Sequence, residues 1–271
     1  METKNAIVAL IRGYQHTNGY QSLIQRNKFI YDNIVLKTKD KFDIILFHEG
    51  NIGDEHQSYI IENSPELNLI FVDVKTTQPQ TAFDDSKNKI NRSLCPPTPQ
   101  SMAFPLGYKH MCHFWSMDFM DYLSEYKYII RIDEDCFITK FNETILEKMR
   151  DEEIYFSSPM FQEQDKPYVI VGLEKLWNDF LKIEKFKPYK PFKDITCPYT
   201  NVMIVDVEYF LKNDLVYNFL TDVDNSHGIY SNRWGDLPIW GVILTTLIDE
   251  KHYYEDKEIS YFHGSHRTNV N

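Results

Sequence analysis

The chain has 271 residues, of which 42% are hydrophobic and 25% charged, a balance typical of a soluble globular protein with a sizeable core. Its formal net charge of −11 argues against nucleic acid or an anionic membrane as the main partner, because both require a clustered positive surface. No apolar run approaches the roughly 20 residues of a membrane span, and the first residues lack a signal-peptide pattern. These two features predict a cytosolic protein without a transmembrane anchor. Four cysteines without CxxC spacing predict reduced thiols.

Short apolar runs alternate with helical patterns in the first third of the chain. They predict strands over 5–11, 42–47 and 67–72, with helices over 20–36 and 55–62. This alternation is typical of a parallel sheet with helical crossovers. The next segment, 75–101, contains four prolines and predicts a long loop. Because loops longer than about 15 residues are usually functional or mobile, we interpret it as a flap near a functional site.

The remainder of the chain continues the same alternation. The predicted helices are 104–122, 144–149, 173–186, 207–220 and 237–249, and the predicted strands are 128–132, 153–156, 201–205 and 259–262. No internal repeat and no linker separates these elements. We therefore predict an α/β protein with a mainly parallel central sheet flanked by helices, in a single domain over 1–271.

The most informative segment is the apolar run 128–132 followed by the acids Asp133, Glu134 and Asp135. Adjacent carboxylates repel one another, and a bound cation is the simplest way to keep them ionised together. Oxygen ligands suit Mg²⁺ or Mn²⁺, which commonly keep open positions for a substrate's phosphate oxygens. Two acids separated by one residue are also typical of a solvated turn, but their place after a buried strand favours a metal site for nucleotide chemistry.

Two later segments carry side chains suited to binding. In 230–238, Asp236 precedes an apolar helix and can be a simple N-cap, whereas Arg233 and Trp234 suggest contacts with a phosphate or a sugar ring. In 261–267, His263 follows a strand. Such a histidine is often a structural hydrogen-bonding residue, but imidazole also suits Mn²⁺ at an acid-rich site.

Four motifs occur in a defined order along the chain. They are Tyr108 with Met-Cys-His-Phe at 111–114, Ser116 and Phe119; Arg131 with Asp133 and Asp135; Arg-Trp-Gly-Asp-Leu-Pro at 233–238; and Tyr-Phe-His at 261–263. Their order and approximate spacing, from about residue 5 to 266, resemble the fungal α-1,2-mannosyltransferases of the Kre2/Mnt1 type. The resemblance implies a glycosyltransferase-A fold and a retaining transfer of mannose from GDP-mannose to a glycan hydroxyl.

The same resemblance implies roles for individual residues. Mn²⁺ (or Mg²⁺) would be held by Asp133, Asp135 and His263 and would act as a Lewis acid on the departing diphosphate. The donor would be bound by residues that include Arg12 near the nucleotide and Tyr108 near the phosphates, together with Arg131, Arg233 and Trp234. Asp236 would lie near the acceptor hydroxyl or the sugar.

The chain departs from the family pattern at three points. The family's Asn-Phe-Glu, whose Glu has been proposed as a nucleophile, corresponds to 201–203, where Met203 replaces the acid. Double displacement through that position is therefore excluded, and we favour front-face attack with Asn201 or Asp236 near the reacting carbon. His113 replaces an arginine, which predicts altered nucleotide or phosphate contacts. The family's membrane anchor and stem have no counterpart here, so we do not expect its lumenal Golgi location.

Two other functions stay open at this point. Met203 is also consistent with a catalytically impaired protein that binds glycans or nucleotides on a transferase scaffold. Clustered acids are also used by metal-dependent nucleotidyltransferases and phosphohydrolases, which release pyrophosphate or orthophosphate.

Overall fold

A seven-stranded, mostly parallel β-sheet organises the chain, which in this computed structural model is described at residues 4–77, 98–163 and 169–270. The strands are β1 (Asn5–Leu10), β2 (Phe42–His48), β3 (Leu69–Asp73), β4 (Tyr128–Ile132), β5 (Cys136–Lys140), β6 (Phe156–Ser158), β7 (Phe161–Glu163), β8 (Thr196–Pro198), β9 (Val202–Asp206), β10 (Tyr253–Glu255), β11 (Ser260–His263) and β12 (Thr268–Val270). The large sheet has the spatial order β10-β6-β9-β4-β1-β2-β3.

Strands β3, β2, β1 and β4 run parallel, as the alternation of strands and helices predicts. Strand β9 runs antiparallel to both β4 and β6, and β10 is parallel to β6. The predicted mainly parallel sheet flanked by helices is therefore confirmed. The strand predicted over 153–156 begins only at Phe156, because Glu153 has a φ of 52°, which lies outside the β region.

A smaller antiparallel sheet, β12-β11-β5, stands at the end of β4. The acidic residues 133–135 form the turn that connects β4 in the large sheet to β5 in the small one. Strand β5 has no separate signal in the sequence, because it follows that turn at once. Its pairing with β11 places Cys136 directly opposite His263.

The helices match most of the predicted positions. They are α1 (Gln21–Ile30), α2 (Asp54–Glu62), α3 (Pro99–Met102), α4 (Leu106–His113), α5 (Phe119–Tyr122), α6 (Ile145–Asp151), α7 (Leu173–Glu184), α8 (Val207–Lys212), α9 (Asp214–Asn225), α10 (Gly228–Asn232) and α11 (Asp236–Val242). The predicted helices over 20–36, 104–122 and 237–249 each contain a π-helical turn, at Tyr31–Val35, Phe114–Asp118 and Ile243–Leu247. The one predicted over 207–220 is two helices, because Asn213 adopts an extended conformation and its side chain caps α9.

The side chains of β4 alternate between two apolar layers. Ile129 packs in the layer that includes Trp115 and Trp240, whereas Ile130 and Ile132 pack in the layer on the other side of the sheet. Arg131 shares the side of Ile129 by strand alternation, and its guanidinium lies 4.3 Å from the centre of the Trp115 ring. The sheet therefore directs one charged side chain of this strand into an aromatic layer.

Most of the flap predicted over 75–101 lies outside the described residues. No helix in the described parts of the chain is long and apolar enough to cross a membrane. The cytosolic location and the single domain stay predictions.

Candidate active site

The acidic turn lies where the carboxyl ends of β4 and β1 meet, the edge at which open α/β sheets bind ligands. Glu134, the middle acid, points toward the end of β1. Its carboxylate accepts from the backbone N–H of Arg12 at 3.1 Å and from the Tyr14 hydroxyl at 3.0 Å. Burial raises the pKa of Glu134, and burial with the Glu134 charge raises the pKa of Tyr14 to about 12. Glu134 thus fixes the turn against β1, with the exposed side chain of Arg12 beside it.

Asp135 and His263 form the candidate metal centre. Their closest atoms, Asp135 Oδ2 and His263 Nε2, are 3.6 Å apart. The loop after β11 fixes Asp135, because Gly264 N–H donates to its carbonyl at 2.8 Å and Ser265 N–H donates to its Oδ2 at 2.9 Å. Two ligand atoms bound to one ion at about 2.1 Å each lie about 3 to 3.6 Å apart. The carboxylate and the imidazole therefore fit a divalent cation between them.

Tyr199 holds the other nitrogen of His263. Its hydroxyl lies 3.4 Å from Nδ1 of His263 and 3.0 Å from Nδ1 of His266, which leaves Nε2 of His263 directed toward Asp135. The Ser265 hydroxyl lies 3.3 Å from that Nε2 and would give way to an ion. Burial lowers the pKa of His263, although the Asp135 charge opposes it, so the imidazole is neutral as metal coordination requires.

Asp133 is separate from this pair, and its role as a metal ligand stays a prediction. Both of its oxygens accept from Arg131, at 2.8 Å from Nε and 3.0 Å from Nη2. Among the described residues, the group of side chains that could hold a metal ion is Asp135, Cys136 and His263, without Asp133. Two of the three predicted ligands are therefore brought together, and the third is committed to an ion pair.

Arg131 is the centre of a buried ion-pair network. It is 2% exposed, and besides Asp133 it donates from Nη1 to Asp236 Oδ2 at 2.6 Å. Burial lowers the pKa of Arg131, but the charges and hydrogen bonds of the two aspartates outweigh it and the net shift is upward. The guanidinium lies inside the protein and is held by two carboxylates, and direct donor binding by Arg131 stays a prediction.

Asn201 and Asp236 occupy the two ends of this network. The Asn201 side-chain amide donates to Asp133 Oδ2 at 3.1 Å, and the Asn201 backbone carbonyl accepts from the Asp133 backbone N–H at 3.0 Å. Asp236 is the first residue of α11, and the N-cap position belongs to Gly235. The capping interpretation of Asp236 is therefore wrong, since its carboxylate bonds to Arg131 instead.

Met203 lies beside Arg131 on the neighbouring strand. The two residues are direct cross-strand partners in the β4–β9 pair, so their side chains share one face of the sheet. Met203 is fully buried in the layer that contains Trp240. The position that carries the family's proposed nucleophile thus faces the network, and in this chain it contributes only apolar surface.

Tyr108 and Arg233 form a second pair of predicted ligand-binding residues. Arg233 Nη2 donates to the Tyr108 hydroxyl at 2.8 Å, and the guanidinium lies 4.3 Å from the centre of the Phe104 ring. Burial raises the pKa of Tyr108. Both side chains are only partly buried, so they can contact a bound anion as the resemblance implies.

Trp234 has structural contacts, and its stacking on a sugar stays a prediction. It is 2% exposed, and its indole N–H donates to the Val171 carbonyl at 2.8 Å. The ring packs so closely on Gly228 that a β-carbon there would lie 2.2 Å from it. The ring therefore helps to fix α10 in place.

His113, which replaces an arginine of the family pattern, links two helical segments. Its Nδ1 lies 2.8 Å from Asp118 and its Nε2 lies 2.9 Å from Asp224. Burial lowers the pKa of His113, but the hydrogen bonds and charges of the two aspartates outweigh it and raise the pKa to about 9. Both nitrogens are therefore used within the protein, and the effect of this replacement on nucleotide or phosphate contacts stays a prediction.

This ion pair predicts a pH-dependent stability. The pKa of His113 is about 9 in the folded protein and 6.5 in the unfolded chain. The protonated imidazole therefore stabilises the fold fully below pH 6.5, and this stabilisation is lost as the pH rises through 9. The loss is at most about 3 kcal/mol, and we expect it in urea denaturation at pH 6 and pH 9.5. The variant H113R keeps its charge and should lack this component. An equal pH dependence in H113R would contradict the assignment.

Sequence reasoning missed three residues of this region: Glu134 as the tie to β1, Cys136 beside the metal pair, and Tyr199 behind His263. Glu134 lies within the acidic segment and Cys136 follows it directly, but the neighbouring sequence does not indicate where their side chains point. Tyr199 carried no signal, because its partner is 64 residues away in the chain.

Comparisons with known proteins identify relatives of this chain. It is 26% identical over 179 residues to the probable mannosyltransferase KTR4 of Saccharomyces cerevisiae, covering 58% of this chain and 38% of that protein. It is 26% identical over 195 residues to the probable mannosyltransferase MNT3 of Candida albicans, covering 64% of this chain and 50% of that protein. The chain thus spans half or less of the length of these curated relatives. No protein-family model matches it.

Solved structures show the same fold. Ktr4p from S. cerevisiae in complex with GDP superposes with a TM-score of 0.75 at 17% identity, over 97% of this chain and 71% of that one. Core-mannan synthase A from Aspergillus fumigatus, in an Mn/GDP form, superposes with a TM-score of 0.73 at 17% identity. The match covers 96% of this chain and 74% of that one. The predicted glycosyltransferase-A fold is confirmed, and the chain is homologous to these mannosyltransferases, as its motifs predicted.

Proposed function

We propose that this chain is a Mn²⁺-dependent glycosyltransferase that moves mannose from GDP-mannose to a glycan hydroxyl with retention of configuration. The observation that carries the proposal is the Asp135–His263 pair at the carboxyl end of β4, in a chain homologous to mannosyltransferases. One structurally similar protein was solved with GDP and another with Mn and GDP. The carboxylate suits either Mn²⁺ or Mg²⁺, and the neutral imidazole favours the transition metal Mn²⁺ over Mg²⁺.

In this proposal each part of the site has a separate task. Asp135 and His263 would hold the metal ion, which would supply Lewis-acid stabilisation of the leaving diphosphate. Arg12, Tyr108 and Arg233 remain available to the nucleotide and phosphates, as the resemblance implies.

Arg131 positions the carboxylate that we place near the acceptor. Its ion pair fixes the Asp236 carboxylate at the start of α11, where we assign it to orient the acceptor hydroxyl by a hydrogen bond. Asn201 is a positioning residue in this scheme, because its amide N–H is used by Asp133. Because Met203 offers no nucleophile, front-face attack by the acceptor on the donor carbon remains the favoured course, with electrostatic stabilisation supplying most of the catalysis.

The direct test is an activity assay with GDP-mannose, Mn²⁺ and simple α-mannosides. We expect transfer that requires the metal, is abolished by EDTA, and gives an α-linked product by NMR. UDP-glucose and UDP-galactose serve as control donors, from which we expect no transfer. Absence of both transfer and slow hydrolysis of GDP-mannose would contradict the proposal.

Met203 supports one alternative, a binding protein on an impaired transferase scaffold. Calorimetry separates the two, because diphosphate binding that depends on metal favours the enzyme. Glycan binding that survives EDTA, without turnover, favours the alternative.

Tyr199 can be used to test the metal site, because we expect its replacement to weaken metal binding without abolishing it. The variant Y199F should weaken Mn²⁺ binding about 10- to 100-fold, the usual effect of removing a residue that orients a metal-bound histidine. Calorimetric titration of the metal-free protein measures this. Y189F is the matched control, since Tyr189 is 56% exposed and lies on another segment. Unchanged affinity in Y199F would show that Tyr199 does not orient His263.

A further inference from the structure

Cys136 lies between the two residues of the candidate metal centre. It follows Asp135 in the chain and is the direct cross-strand partner of His263 in the β5–β11 pair. Side chains of directly opposed residues lie on the same face of a sheet, so the thiol and the imidazole are neighbours by register. Cys136 is a fully buried free thiol.

The three donor atoms can converge on one ion. Asp135 O, Cys136 Sγ and His263 N all lie within 4.8 Å of one another. A point equidistant from three such atoms is at most about 2.8 Å from each, against the 2.0 to 2.3 Å of bonds from Zn²⁺ to oxygen, nitrogen and sulfur. Closing that gap needs a shift of about 0.5 to 0.8 Å per atom, within the reach of rotamer adjustment.

We propose that Cys136 supplies a sulfur ligand beside Asp135 and His263, so that this site also binds thiophilic divalent cations such as Zn²⁺ and Cd²⁺. Mn²⁺ is a hard ion that prefers oxygen and nitrogen, and it gains little from sulfur. Zn²⁺ and Cd²⁺ gain a third protein ligand and compete with Mn²⁺ for the site. The sulfur therefore makes the centre sensitive to soft metals, in a way that the carboxylate and imidazole alone would not.

The inference rests on the proposed function only through Asp135 and His263, and its readout is independent of activity. Titrating the metal-free protein with Cd²⁺ should produce a sulfur-to-cadmium charge-transfer band in the ultraviolet, saturating at one ion per chain. In C136S the band should be absent and Cd²⁺ affinity should fall about a hundredfold or more, while Mn²⁺ affinity changes less than about threefold. C197A is the matched control, since Cys197 is also fully buried but lies on β8, and it should keep the band.

Each outcome decides the question. Absence of the band in the unmodified protein overturns the inference without any variant, as does a band lost in C197A but kept in C136S. Binding of Mn²⁺ and GDP, measured on the same preparation, tests the proposed function separately. Binding of Mn²⁺ and GDP without the band would overturn only the sulfur ligand, whereas the band without such binding would overturn only the transferase.

Discussion

Replacing Arg131 with Met is expected to lower the free energy of unfolding by about 3 to 5 kcal/mol, the usual effect of removing one partner of a buried ion pair. Its guanidinium is shared by Asp133 and Asp236, both largely enclosed by protein. Met is close to Arg in length and would preserve the packing on Trp115. What it removes is the cation between two carboxylates, and urea denaturation measures the resulting loss of stability.

A surface ion pair of the same chemistry is the matched control. Lys175 and Asp179 lie one helical turn apart with mostly exposed side chains. The variant K175M should therefore change stability by less than about 0.5 kcal/mol. A loss below about 1 kcal/mol in R131M would show that the buried network does not stabilise the fold as inferred.

A double-mutant cycle separates the two arms of the network. D236N removes the charge of Asp236 and keeps its shape, so the double variant R131M/D236N should be less destabilised than the sum of the single variants. Coupling between contacting residues usually amounts to about 0.5 to 3 kcal/mol. R131K should recover only part of the loss, because an ammonium group cannot reproduce the planar contacts with two carboxylates.

Much of the fold could be predicted from local patterns, because the parallel strands β1, β2 and β4 are buried on both faces and read as apolar runs. The small antiparallel sheet was harder to predict, although its strand β11 was expected over 259–262. Strand β5 directly follows the acidic turn, and its pairing with β11 joins residues 120 to 127 positions apart in the chain. Periodicity within a window cannot detect such a pairing.

At the site, the sequence indicates which residue types are present but not the direction in which their side chains point. Asp135 and His263 were linked in advance by their ligand chemistry and by the family resemblance, and the structure places them 3.6 Å apart. Trp234 and Arg131 match the family's motifs equally well, yet both point into the protein, where an indole or a guanidinium supports other residues. A motif identifies the side chain, but only packing decides whether it faces a ligand.

Replacing Asp135 with Asn is expected to reduce transfer from GDP-mannose about a thousandfold or more, since metal stabilisation of a leaving group contributes several kcal/mol to the barrier. The amide oxygen of Asn can still accept from Ser265 N–H, so the turn should keep its conformation. Only the charge that holds the cation is removed. Mn²⁺ titration and initial-rate assays on the same preparation measure the two effects.

D151N is the control for this variant, because Asp151 is an exposed residue at the end of α6 and should leave metal binding and transfer unchanged. H263Q should reproduce the defect of D135N, since the two side chains bracket one ion. D133N should differ from both: it weakens the pair with Arg131 and so should cost stability, while Mn²⁺ affinity stays within a few-fold of the parent. If D133N instead abolished Mn²⁺ binding while D135N did not, the metal ion would sit at Asp133, and the separation between the metal pair and the Arg131 network would be wrong.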